Sequence, residues 1–156
     1  MIGIELISQR SYVHFVQRRV LHLATIALLA GCAARISQFS PIAYEQATAL
    51  KVDANALMSK ATQPFADHAQ EVEALNLRVA KAYEFAKGRP RNEISARQWA
   101  ILADTTRNLL GGFLARWKRE SKLSPTFVSE AQQLVAQAFD TIIALESGKL
   151  KPADVP

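Results

Sequence analysis

The sequence predicts an all-α protein, a bundle of four to five helices. Three observations carry that expectation. Apolar residues recur at three- and four-residue steps through most of residues 42–147. No stretch shows sustained alternation of apolar and polar residues, and β-branched residues never cluster, so strands have no support. Helix-start and helix-stop residues flank the periodic stretches: Ser40-Pro41 and Ser124-Pro125 at two starts, Gly88 and Gly148 at two ends.

Each element follows in order. Ser40 can cap and Pro41 is preset for a first turn. Tyr44, Ala47, Leu50, Ala54, Leu57, Met58 and Ala61 then mark a helix over 42–61, broken at Pro64. Val72, Leu75, Val79, Ala82, Tyr83 and Ala86 define a second helix over 65–87. Gly88-Arg89-Pro90-Arg91-Asn92 carries no apolar side chain and reads as a loop. A short third helix runs from Ser95 to about Ala103, with Ile94, Trp99 and Leu102 as its apolar members. Asp104, Thr105 and Thr106 then offer a break and a new cap, and a fourth helix runs from Arg107 to Ser121, with Gly111-Gly112 inside it. Two glycines in a helix interior cost about 1 kcal/mol each, so they imply a kink or very close packing. The last helix, 125–147, carries Phe127, Ala131, Leu134, Val135, Ala138, Phe139, Ile142 and Leu145 on one side.

Residues ahead of the bundle have a different character. Arg18 and Arg19 precede an eleven-residue, largely apolar run, Val20 to Ala30. A spanning helix needs roughly 20 apolar residues, so this run is too short to cross a bilayer. Basic residues, a short apolar stretch and then small residues are the order of a secretory signal peptide. The run ends in Leu29-Ala30-Gly31-Cys32, which resembles the lipobox of bacterial lipoproteins. The resemblance covers the signal and Cys32 only. It implies cleavage between Gly31 and Cys32, a diacylglyceryl thioether on the Cys32 sulfur and acylation of the new amino terminus. Ala33 follows the cysteine, where an Asp would imply retention at the inner membrane. The resemblance therefore implies an outer-membrane anchor, facing the periplasm in a Gram-negative cell. Each buried methylene contributes about 0.8 kcal/mol, so two or three acyl chains on one residue would hold firmly.

The chain divides accordingly into a signal at 1–31, a lipidated cysteine and short tether at 32–40, a helical bundle at 41–150 and a tail at 151–156. A flexible eight-residue tether spans roughly 15 Å, which keeps the body close to the bilayer. The whole chain has 156 residues and a net charge of +5. Its only cysteine leaves no internal disulfide and no cysteine-built zinc site. Hydrophobic residues at 49% and charged residues at 21% fit an ordinary globular body.

Chemistry is sparse. Beyond the signal the one histidine is His68, next to Asp67. Adjacent helix positions diverge by about 100°, so the two make a poor dyad, and a solvated surface histidine is expected. No GxSxG elbow, phosphate-cradling loop, EF-hand spacing or histidine cluster occurs, so no catalytic residue, metal or cofactor is assigned. Charge is the uneven feature. Residues 87–122 hold nine basic and three acidic residues, whereas 44–86 hold four basic and six acidic. Arginine forks suit phosphate and carboxylate. Arg97, Arg107, Arg116, Lys118 and Arg119 are the candidate contacts for an anionic envelope component or protein, and nucleic acid is not an expected partner. The expected role is a non-catalytic binding or scaffolding module in the cell envelope. The alternatives are an inhibitor or surface-exclusion protein, and an enzyme acting on cell-wall or lipid substrates. The latter needs a concave pocket with convergent polar groups.

Overall fold

A computed structural model describes residues 39–150 and 154–155. The described residues form five α-helices and no strand: α1 (Pro41–Met58), α2 (Ala69–Gly88), α3 (Glu93–Ala103), α4 (Leu110–Glu120) and α5 (Pro125–Glu146). Short 3-10 turns at Ser59–Thr62 and Phe65–His68 fill the corner between α1 and α2. The expected helical bundle is what the chain forms. The signal, Gly31, Cys32 and most of the tether lie outside the described residues.

Both Ser-Pro starts act as their chemistry requires. Ser40 accepts from the Ala43 amide and Ser124 from the Phe127 amide, each at 3.3 Å, with the proline in the first turn. Beyond the end of α5, Gly148 takes φ +71°, a left-handed conformation that glycine adopts without a Cβ penalty.

Three long helices form the walls. α1 packs against both α2 and α5, and α3 packs against α2 and α5. Ala47, Leu50, Ala54, Leu57 and Met58 of α1 meet Val72, Leu75, Val79 and Ala82 of α2 in one core. α5 adds Val128, Ala131, Val135, Phe139 and Ile142. Trp99 is buried with its ring edge-on to Phe139, centroids 5.9 Å apart. Trp117 is fully buried, and its indole N–H donates to the Gln63 carbonyl at 3.0 Å. Both tryptophans are therefore core residues. The corner at 59–68 is stitched to the loop before α5 by two backbone hydrogen bonds, Phe65 N–H to Ser121 O and Leu123 N–H to Ala61 O, both 2.8 Å.

The fourth wall differs from the expectation. The helix expected from Arg107 begins at Leu110, so Gly111 and Gly112 lie in its first turn rather than in its interior. The reason is local. Asp104 Oδ1 accepts from both the Thr106 amide (2.8 Å) and the Thr106 hydroxyl (2.7 Å), which fixes a turn in place of helix. A Cβ on Gly111 would run into the Ala103 carbonyl, and one on Gly112 into the Arg107 carbonyl. The glycines let α4 start directly against the end of α3. The wall is thus two half-length helices with a bend between them.

Candidate binding cleft

The bend leaves a cleft of about 790 Å³ between α2, α3 and α4, open to solvent along one side. On α2 it is lined by Ala69, Glu73, Asn76, Ala80 and Tyr83. Four of these, from Glu73 to Tyr83, each follow a core residue by one position: Val72, Leu75, Val79 and Ala82. One position is about 100° around a helix, so a second stripe of α2 faces the cleft beside the core stripe. The opposite wall is small and apolar: Ala100 and Ala103 from α3, Gly111, Leu114 and Ala115 from α4. Phe65 closes one end, where its ring meets Trp117 edge-on at 5.5 Å.

Charge in the cleft is confined to that same end. Glu73 on α2 and Lys118 on α4 line it, both exposed. Neither makes an ion pair among the described residues. The other end holds Tyr83, Ala80 and Ala100. There the Lys87 ammonium sits 5.6 Å from the Tyr83 ring centre and pairs with Glu84 at 3.4 Å.

The five candidate cations do not fall on one face. Arg116 lies over the Phe127 ring at 4.0 Å and pairs with Glu120 at 2.9 Å. Lys118, two positions on, turns about 200° away and lines the cleft. Arg119 reaches Glu120 at 3.5 Å, and Arg107 reaches Asp104 at 3.4 Å. Arg97 is exposed on α3 with no acidic partner among the described residues.

His68 is not the solvated residue expected. Its side chain is only 12% exposed and lies 5.7 Å from Trp117, ring to ring. Its two ring nitrogens meet Glu71 Oε1 at 2.8 Å and Gln63 Oε1 at 2.7 Å. The 3-10 turn after Pro64 folds the imidazole back onto the corner, a placement that helical spacing does not foresee. Lys60 also bonds Glu71, at 2.6 Å. The Lys60 hydrogen bond, and then that of His68, hold the Glu71 carboxyl below the usual carboxylate range. The Thr106 hydroxyl and then its amide do the same for Asp104.

A second polar cluster escaped the sequence reading. Glu146, the last residue of α5, has a side chain only 1% exposed. Its carboxylate accepts from the Arg89 guanidinium, the Ser95 hydroxyl and, at 3.3 Å, the Asn92 amide. Asn92 also donates to the Ala86 carbonyl at 3.0 Å, and its Oδ1 is buried without a partner among the described residues. The loop read as plain and basic thus turns inward, helped by Arg91 at φ +59°. A signal was present: Glu146 continues the α5 core register of Val135, Phe139 and Ile142, where an apolar residue would be expected.

Among the described residues no group of three or more His, Cys, Asp or Glu is placed to hold a metal ion. No described helix is long and apolar enough to cross a membrane. No protein-family model matches the chain, and neither a curated protein nor a solved structure shows significant similarity to it.

Proposed function

We propose that the chain is a lipid-anchored protein of the bacterial envelope, acylated on Cys32 after cleavage behind Gly31, whose helical body is a non-catalytic binding module for an anionic envelope component. The observation that carries this reading is Leu29-Ala30-Gly31-Cys32 at the end of a basic-then-apolar leader, a few residues before the folded body begins at Pro41. The anchor fixes the compartment, an outer membrane where the cell has one, and the short tether holds the body near phosphate-bearing headgroups. Of the five candidate cations, Arg97 and Lys118 are the two that make no ion pair among the described residues. Arg107, Arg116 and Arg119 already meet Asp104 or Glu120.

Two outcomes test it. Cys32→Ser is expected to leave the precursor uncleaved or to move the protein into the soluble fraction, read by mass and by fractionation. Normal processing with full membrane retention would end the lipoprotein reading. The double reversal Arg97→Glu with Lys118→Glu is expected to weaken binding to anionic vesicles, since each cation near such a surface contributes about 1 kcal/mol. Arg119→Glu, which removes a cation already facing Glu120, should have the smaller effect in the same vesicle-sedimentation assay.

A further inference from the structure

The cleft has a polarity along its length. Its two charges, one of each sign, sit on opposite walls near the Phe65 end, and the rest of its walls are largely alanine, valine, leucine and aromatic carbon. From Ala69 to Tyr83 is fourteen helical steps, about 21 Å at 1.5 Å per step. One acyl chain extends roughly 15 Å, half the hydrocarbon core of a bilayer. The trough is therefore long enough for a single tail with a small head, and its volume lies in the range of small-molecule sites. A docked helix would call for charges distributed along both rims. Here both gather at one end, as a dipolar head requires. An anion alone would face the Glu73 carboxylate as well as Lys118, so a head carrying both charges fits better than a purely anionic one.

We propose that this cleft binds a single-chain phospholipid with a zwitterionic head, its phosphate against Lys118, its ammonium against Glu73 and its tail running past Asn76 to Tyr83 and Ala100. The inference goes beyond the anionic-surface reading above and gives the body a second, zwitterionic ligand. It rests on that reading for the source of the lipid, the envelope itself, and does not depend on acylation of Cys32. Lys118, exposed at the cleft mouth, then serves the lipid head as well as the anionic surface. The small side chains of Ala80, Ala100 and Ala103 give the tail its room.

The test uses the whole protein in its own membrane fraction, or in the soluble fraction if it is found there. The probe is lysophosphatidylethanolamine with a palmitoyl-length tail that ends in a photoactivatable diazirine. Cross-linking should fall on peptides carrying Tyr83 and Ala100. It should be lost in Ala100→Trp, which fills the trough from an exposed position, and in Ala80→Leu on the facing wall. The lysophosphatidylglycerol counterpart should label about tenfold less at equal concentration, the ratio that 1.4 kcal/mol supports, and Glu73→Gln should erase that difference. Labelling that centres on Phe65, spreads over the body or survives both cleft-filling variants would overturn the proposal. So would equal labelling by the two headgroups, or a peptide found in the trough instead of lipid. Failure of the anchor is read separately, from the fractionation of Cys32→Ser.

Discussion

Replacing Glu146 by Ala is expected to cost about 3–5 kcal/mol of unfolding free energy, the range for breaking one side of a buried ion pair. Folding stabilities are of order 5–15 kcal/mol, so the variant should melt far below the parent in thermal or urea unfolding. The size follows from what the carboxylate serves. It takes the Arg89 guanidinium, the Ser95 hydroxyl and the Asn92 amide together, where the side chain is 1% exposed and water cannot replace it. Removing it takes away the shared acceptor of three donors and leaves a void at the end of α5. Glu146→Gln keeps an acceptor for Ser95 and much of the volume, so it should cost clearly less than Glu146→Ala. If both variants unfold with the parent, the cluster does not hold the end of the bundle.

Gly112→Ala should be the other severe change, destabilising by about 3 kcal/mol or more. Overpacking alone typically costs about 1–3 kcal/mol. Here the new methyl meets the Arg107 carbonyl, which is backbone and has no rotamer by which to move aside. Gly111→Ala meets the Ala103 carbonyl in the same way. Neither glycine has a left-handed φ, so their reason is space and not backbone freedom. Gly88→Ala is the matched control, because a Cβ there would meet nothing within 4 Å. Chemical denaturation of the three variants should rank Gly88→Ala as nearly neutral and the other two far below it.

These two changes also mark where sequence reading stopped. The walls were legible, because Leu50, Val79 and Phe139 repeat at helical spacing and serine-proline pairs announce the starts of α1 and α5. The bend in the fourth wall was legible in part, from the break that Asp104, Thr105 and Thr106 offer, but its length was not. It depends on Asp104 capturing Thr106, a local bond that competes with helix and leaves no periodic trace. Close packing at Gly111-Gly112 was expected, but not that the pair would open the helix instead of lying inside it. Glu146 was hidden differently, because one acid at the end of an apolar stripe reads as the stripe ending. The cleft was legible only in part. Its α2 wall is a second stripe beside the core, Ala69, Glu73, Asn76, Ala80 and Tyr83. Nothing in α2 alone says that α3 and α4 will leave it uncovered.

The placement of α1 has a mechanical consequence. It is the first of the described helices and it lies against both long helices, α2 and α5. Lys51 pairs with Asp140 on one neighbour at 2.5 Å, and Asp53 pairs with Arg78 on the other. A pull delivered through the segment before Pro41 therefore loads a helix gripped on two sides. To peel it away, the force must slide α1 past two interfaces at once and strip both ion pairs. Tension from the anchor proposed at Cys32 would thus enter the bundle through a helix held on two sides.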